Sequence, residues 1–222
     1  MSSSHVPRRS FLGRLAAGTA AFGAAFGGAA AFPSLASAEP VADEMDNWFG
    51  SMKGTYKAIY DCAGMNAAPD GVMFARNLMH FSAEKLGTKD ADNSIVVCFR
   101  HFATPYGYTD AMWEKYPIAK ALGINDPKTK QPATRNWLLH DLIEDTPGIN
   151  IPGIRARGAQ FAVCGAATEY FAEKILAAGG GDAKAIFADI AANLIPGARM
   201  APAGVVAVQR AQKAGFAYTF AG

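Results

Sequence analysis

The chain has 222 residues, half of them hydrophobic, with 21 basic and 19 acidic side chains and a formal net charge of +2. A chain of this length can bury a sizeable core in one domain, and its balanced charge excludes a nucleic-acid-binding protein that depends on a basic surface. Its 3 cysteines are too few for a small disulfide-stapled fold, and their odd number leaves at least one thiol without an internal partner.

Residues 1–38 have the pattern of a twin-arginine signal peptide. Arg8 and Arg9 precede an uncharged run over residues 15–32, and Ala36-Ser37-Ala38 offers the small residues that a signal peptidase recognises. We therefore expect the twin-arginine export machinery to carry the folded chain to the periplasm, with cleavage near Ala38. The alternative is a membrane anchor, which the many Gly and Ala residues of the run disfavour. Cleavage removes three arginines and no acidic side chain, which leaves a slightly acidic protein with no second apolar run long enough to span a membrane.

Strand and helix signals alternate along residues 55–222, after a polar leader at residues 39–54 that includes a short helix around Met45–Phe49. Aromatic and β-branched runs indicate five strands, and the most apolar of them has the composition of a strand buried on both faces. The predicted strands cover residues 56–60, 94–99, 160–163, 198–201 and 216–220.

Amphipathic or capped stretches between these strands predict helices, which begin at Asp70-Gly71, Gly165, Ala183 and Gly204. This alternation favours an α/β fold, a three-layer α/β/α sandwich around a mostly parallel five-stranded sheet. A long insertion interrupts the pattern at about residues 102–154. Within it we expect one helix over residues 110–121 and another over residues 137–144.

The carboxyl ends of the predicted strands are the expected ligand site, because open parallel sheets bind ligands there. These ends bring together Cys62, His101 and Cys164. Cys164 is the strongest candidate, since it stands at a helix N-terminus, where unpaired backbone N–H groups and the helix dipole favour the reactive thiolate. Gly165 and Gly204 are candidate ligand-binding positions, Gly165 because it allows a substrate to approach the backbone closely. Burial as a small apolar side chain is the alternative interpretation of Cys164.

The other candidates have weaker support. His101 either tunes Cys164 or is only a hydrogen-bonding residue, and Cys62 either resolves an oxidised or persulfidated Cys164 or is a buried small side chain. Cys98 lies inside the most apolar strand and is expected to be inert. A metal site formed by Cys62, His101 and Cys164 lacks a closely spaced ligand pair, so we expect no metal and no other cofactor.

The segment RGAQFAVCG at residues 157–165 is similar to the surroundings of the sulfur-carrying cysteine in the DsrE/DsrF-like sulfur-relay family. Residues 200–218 resemble the last helix and strand of that family. Residues 100–105 and 110–116 resemble an exported branch with a longer middle. The resemblance covers most of residues 55–220 and depends on the order of the elements and on the Cys-Gly junction.

This resemblance implies a DsrE-like three-layer fold, a homo-oligomer and a persulfide that is handed between cysteines, with Cys164 as the acceptor. No second cysteine occurs in residues 164–167, which excludes a local Cys-x-x-Cys redox cycle. We therefore expect an exported sulfur carrier or thiol-based redox protein, with sulfurtransferase-like activity as its enzymatic form and a protein or a small sulfur compound as donor or acceptor. The alternatives are a non-catalytic periplasmic module that binds a small ligand or partner at the same strand ends, and a structural oligomer.

Overall fold

Five parallel strands form the central sheet of the computed structural model, which describes residues 41–140, 148–179 and 181–222. The predicted α/β sandwich with a five-stranded sheet is confirmed, and every neighbouring pair of strands is parallel. The predicted signal peptide lies outside the described residues. In chain order the strands are β1 (Tyr56–Cys62), β2 (Asn93–Phe99), β3 (Gln160–Cys164), β4 (Ala198–Ala201) and β5 (Ala217–Phe220). Across the sheet they lie in the order β4-β3-β2-β1-β5.

Helices cover both faces of this sheet. In chain order they are α1 (Val41–Ser51), α2 (Ala67–Leu86), α3 (Asp110–Lys115), α4 (Ile118–Leu122), α5 (Ile151–Ala156), α6 (Gly165–Ala177), α7 (Ala183–Ala192) and α8 (Gly204–Lys213). Helices α2 to α7 contribute to one hydrophobic core, whereas α1 and α8 form a second core on the other face. No helix in the described ranges combines the length and the apolar composition that crossing a bilayer requires.

Strand β2 shows how the sheet separates these two cores. Ile95, Val97 and Phe99 face the first core, whereas Val96 and Cys98 face the second. All five are at most 1% exposed. Because successive side chains of a strand point to opposite faces, a strand covered on both sides needs an uninterrupted apolar run, as predicted for this segment.

The order of the strands creates one crevice at the carboxyl edge of the sheet. The chain moves from β1 through β2 and β3 to β4 in one direction, and it then returns to place β5 beside β1. The connection after β3 runs through α6 on the first face, and the connection after β4 runs through α8 on the second face. Neighbouring strands whose connections leave toward opposite faces leave a gap between them.

The insertion differs from its prediction in two places. The helix expected over residues 110–121 is divided into α3 and α4, because Pro117 disfavours helical backbone at Tyr116, which is extended (φ −115°, ψ 146°). The helix expected over residues 137–144 is only a 3₁₀ turn at Trp137–Leu139, and residues 141–147 lie outside the described residues.

Two predicted helix boundaries also change. α2 begins at Ala67, before the predicted start at Asp70-Gly71, with Pro69 in its first turn, where a missing N–H has no cost. The leader helix extends over the whole of α1, and Trp48 and Phe49 are buried in the second core. The leader is therefore part of a layer of the fold.

Gly71 in α2 lies directly against Cys62 of β1, and a Cβ at this position would overlap the Cys62 sulfur. We expect Gly71→Ala to lower the free energy of unfolding by about 1–3 kcal/mol, since a well-packed core resists an added methyl group. Urea denaturation followed by circular dichroism measures this change.

Gly50→Ala in α1 is the matched control, because a Cβ at Gly50 meets nothing within 4 Å. This control should leave the stability unchanged or slightly higher. In a Cys62→Ala background the overlapping sulfur is absent, so Gly71→Ala should lower the free energy of unfolding by a smaller amount. A Gly71→Ala protein as stable as the unchanged chain would contradict the close packing of α2 on β1.

Candidate functional site

A pocket of about 450 Å³ opens at the crevice between the connections of β3 and β4. Its walls come from the residues that follow β2, from the first turns of α6 and from the start of α8. The pocket therefore occupies the position at which open α/β sheets bind ligands. Its lining residues are Arg100, His101, Phe102, Cys164, Ala166, Ala167, Tyr170, Phe171, Ala203, Gly204 and Val205.

Cys164 joins a strand directly to a helix. It is the last residue of β3 and the N-cap of α6, and its Sγ accepts the Ala167 N–H at 3.4 Å. The residue is 7% exposed and lines the pocket. A sulfur in this position faces the positive end of the helix dipole, which stabilises negative charge on it.

The two candidate glycines have different surroundings. Gly165 is absent from the pocket lining, and a Cβ there would lie 2.9 Å from the carbonyl oxygen of Ala201 in β4. Gly165 therefore allows α6 to begin close against the neighbouring strand. Gly204 does line the pocket, and a Cβ there would overlap the Arg100 side chain. Gly204 thus lets Arg100 lie against the start of α8.

Two buried hydrogen bonds in series hold the backbone carbonyl of Cys164 in place. The Thr168 hydroxyl donates to the Cys164 carbonyl at 2.9 Å, and the Tyr108 hydroxyl donates to Thr168 Oγ1 at 2.9 Å. Tyr108 and Thr168 are fully buried, and this burial raises the pKa of the Tyr108 phenol. Sequence reasoning gave these two residues no role, since Tyr108 lies in the insertion and only the folded chain brings it to α6.

A second polar cluster connects the carboxyl ends of β1, β2 and β5 beside the pocket. Arg100 forms a two-pronged ion pair with Asp61, through Nε to Oδ1 and through Nη2 to Oδ2 at 2.9 Å. The Tyr218 hydroxyl of β5 donates to the same carboxylate at 3.0 Å. Hydrogen bonding to Asp61 raises the pKa of Arg100. An acidic residue at the end of a buried strand and a basic one after its neighbour are the sequence signal that points to this pair.

His101 has an unusual backbone conformation at the edge of the pocket. Its φ of 50° lies in the left-handed region, which residues other than glycine seldom adopt. Its ring is exposed and packs against Phe102, with ring centroids 4.4 Å apart. The sequence prediction placed His101 and Cys164 at one site, and the structure puts both in the lining of one pocket. Backbone strain of this kind often occurs at ligand sites, where the surrounding structure maintains it.

Cys62 and Cys98 do not line the pocket. Both are fully buried, and neither belongs to the lining. Cys62 packs under α2 in the first core, and Cys98 lies in the second core, with its Sγ 3.7 Å from the Gly204 carbonyl. Burial is the largest cause that raises the pKa of both thiols. The structure therefore does not bring Cys62 to Cys164, and no group of three His, Cys, Asp or Glu side chains in the described residues is arranged to hold a metal ion.

The chain matches no protein-family model, no curated protein and no solved structure in the three comparisons made. The resemblance to the DsrE/DsrF-like family therefore stays a prediction. Only the chemistry of the pocket itself then indicates a function.

Cys164 should be the thiol that reacts first in the folded protein. We expect iodoacetamide at pH 7–9 to alkylate Cys164 at least about tenfold faster than Cys62 or Cys98, because the buried thiols stay protonated and out of contact with the reagent. Peptide mapping of timed samples gives the three rates.

Labelling in concentrated urea is the control for this experiment. Unfolding exposes all three thiols, so their rates should become similar. Equal rates for Cys164 and Cys98 in the folded protein would identify Cys164 as a core residue and contradict its place in the pocket.

Proposed function

We propose that this chain is an exported sulfur carrier that holds a sulfane sulfur as a persulfide on Cys164. The observation that carries the proposal is the position of the Cys164 sulfur, at the start of α6 and in the wall of an open pocket. The export part of the proposal depends on the arginine pair and the Ala-Ser-Ala site of residues 1–38.

The transfer step needs only a thiolate and a donor persulfide. The Cys164 thiolate attacks the outer sulfur of the donor R–S–S–H, a new S–S bond forms on Cys164, and the donor S–S bond breaks. The leaving R–S⁻ takes up a proton from water. No net oxidation occurs, because a neutral sulfur atom moves from one thiol to another.

The surroundings of Cys164 suit such an intermediate. A persulfide is an anion at neutral pH, and the start of α6 offers it the positive end of a helix dipole and the Ala167 N–H, which already donates to the Cys164 sulfur. Among the described residues, the pocket contains no second thiol that could convert the persulfide into an internal disulfide. This arrangement favours carriage of sulfur over disulfide exchange.

A non-catalytic binding module is the second candidate. It is favoured by one observation, which is that the Cys164 sulfur already serves as the helix cap through the Ala167 N–H. In that case the thiol has a structural task, and the pocket binds its ligand without a covalent step. Sulfur loading separates the two candidates.

We expect the mature chain, incubated with a small organic persulfide, to gain the mass of one sulfur atom on Cys164. Intact-protein mass spectrometry and peptide mapping locate the added atom, and cyanide should remove it as thiocyanate. Cys164→Ser is the matched variant, since serine is a strong N-cap and keeps the hydrogen bond to Ala167 while it cannot hold sulfur.

Cys98→Ala should load as the unchanged chain does, because Cys98 is fully buried and does not line the pocket. Circular dichroism checks that each variant is folded. A Cys164 that stays bare while the protein is folded would favour the binding module.

We also propose that the chain self-associates through the outer edge of β5, which pairs only with β1 among the described residues. All four residues of this strand are exposed, and Tyr218 and Phe220 keep 43% and 51% of their surface open. A free strand edge with aromatic side chains is a common contact between copies of a chain.

Light scattering at micromolar concentration should give a multiple of the monomer mass. Phe220→Lys should shift the protein toward the monomer, whereas Phe81→Lys should not, because Phe81 is equally exposed (49%) but lies on α2. A monomeric parent chain would refute self-association.

A further inference from the structure

We propose that the Cys164 pocket accepts a small organosulfur compound with an apolar body, either aromatic or aliphatic, and discriminates against peptide thiols. This inference rests on the proposed sulfur-carrying function, whose substrate class it specifies. It follows from the volume of the pocket, from its mainly apolar walls and from the hydrogen bonds that its polar groups already make within the protein.

The walls of the pocket are mainly apolar. Phe171 is buried in them, while Phe102, Tyr170 and Val205 are 40%, 54% and 61% exposed and also line the pocket. Large apolar side chains are rarely left open to water in a cluster unless they meet a ligand or a partner. An apolar body laid between them removes their surface from water.

The polar groups of the pocket are largely satisfied within the protein. Arg100 gives both prongs of an ion pair to Asp61, the Ala166 N–H donates to the Pro202 carbonyl, and the Ala167 N–H donates to Cys164. A peptide thiol brings several charged and amide groups, each of which loses hydration on entry and needs a partner. Such a compound finds few partners here.

Some polar features remain at the pocket. They include the exposed ring of His101 at the edge, the hydroxyl of Tyr170 and the start of α8, whose N-cap residue Ala203 provides no side-chain cap. The first turn of α8, at Gly204 and Val205, lines the pocket. These features suit a ligand with one polar end beside the sulfur.

The size of the pocket agrees with a compact ligand. A volume of about 450 Å³ lies in the range of small-molecule sites. Cys164 is only 7% exposed, so a sulfur atom has to enter the pocket to reach it. A cysteine on the surface of another protein would bring backbone amides into the apolar mouth, where they lose their hydration.

Three methanethiosulfonates that differ only in the transferred group test this inference. They carry a benzyl group, an anionic sulfonatoethyl group and a cationic trimethylammonioethyl group. In each case the Cys164 thiolate attacks the sulfenyl sulfur, an S–S bond forms, the S–SO₂ bond breaks and methanesulfinate leaves. Dividing each rate by the rate for the same reagent with free cysteine removes differences of intrinsic reactivity.

We expect the normalised rate of the benzyl reagent to exceed that of both charged reagents by about tenfold, since burial of a phenyl group is worth at least that factor. Tyr170→Ser and Val205→Ser should each reduce this preference and leave the rates of the charged reagents unchanged. Leu176→Ser is the control, because Leu176 is 38% exposed on the same helix as Tyr170 but lies outside the pocket lining. Circular dichroism confirms that the variants are folded.

Sulfur loading from a benzyl persulfide and from glutathione persulfide completes the test, and the benzyl donor should load faster. Equal normalised rates for the three reagents, or a preference for the anion, would overturn the apolar substrate class. If Cys164 loads sulfur from both donors equally, the carrier function stands and the inference fails. If the benzyl preference holds but Cys164 cannot retain a sulfane sulfur, the apolar pocket stands and the carrier function fails.

Discussion

The return of the chain from β4 to β5 is the constraint on which the site depends. β4 and β5 form opposite edges of the sheet, so the connection between them has to cross the whole sheet, and α8 makes this crossing on the face opposite to α6. The first turns of α6 and α8 therefore separate at the ends of two neighbouring strands. The gap between them becomes the pocket, with the sulfur of Cys164 at the start of one helix and Gly204 at the start of the other.

The ion pair of Arg100 and Asp61 fixes the other side of this gap. Asp61 is almost completely buried, whereas the Arg100 side chain is 24% exposed, so removing Arg100 would leave a buried carboxylate without its counter-charge. Tyr218 adds a hydrogen bond from the last strand, so β1, β5 and the residue after β2 are joined at a single carboxylate. The pocket wall next to Arg100 is therefore held by the same contacts that complete the edge of the sheet.

Local sequence patterns were sufficient to predict the strands and the direct strand-to-helix junction at Cys164-Gly165. A strand covered on both faces needs a continuous apolar run, and a helix that follows it directly needs a capping residue. Both features depend on residues that are neighbours in the sequence, so they can be predicted from it. The insertion is different, because a single proline at Pro117 divides its first helix against an otherwise helical pattern. The contact of Tyr108 with Thr168 joins residues 60 positions apart, and only the folded chain brings them together.

The direct junction of β3 and α6 leaves Cys164 without a hinge. Strand pairing holds the residue on one side, and the first turn of the helix holds it on the other. A cysteine on a flexible segment can take up sulfur at one site and release it at another. The Cys164 sulfur is held in place and cannot move between two sites. Under the proposed carrier function, donor and acceptor have to occupy the same cavity in turn, so each competes with the other. Turnover then follows a double-displacement scheme, in which a high concentration of either compound slows the reaction of its counterpart.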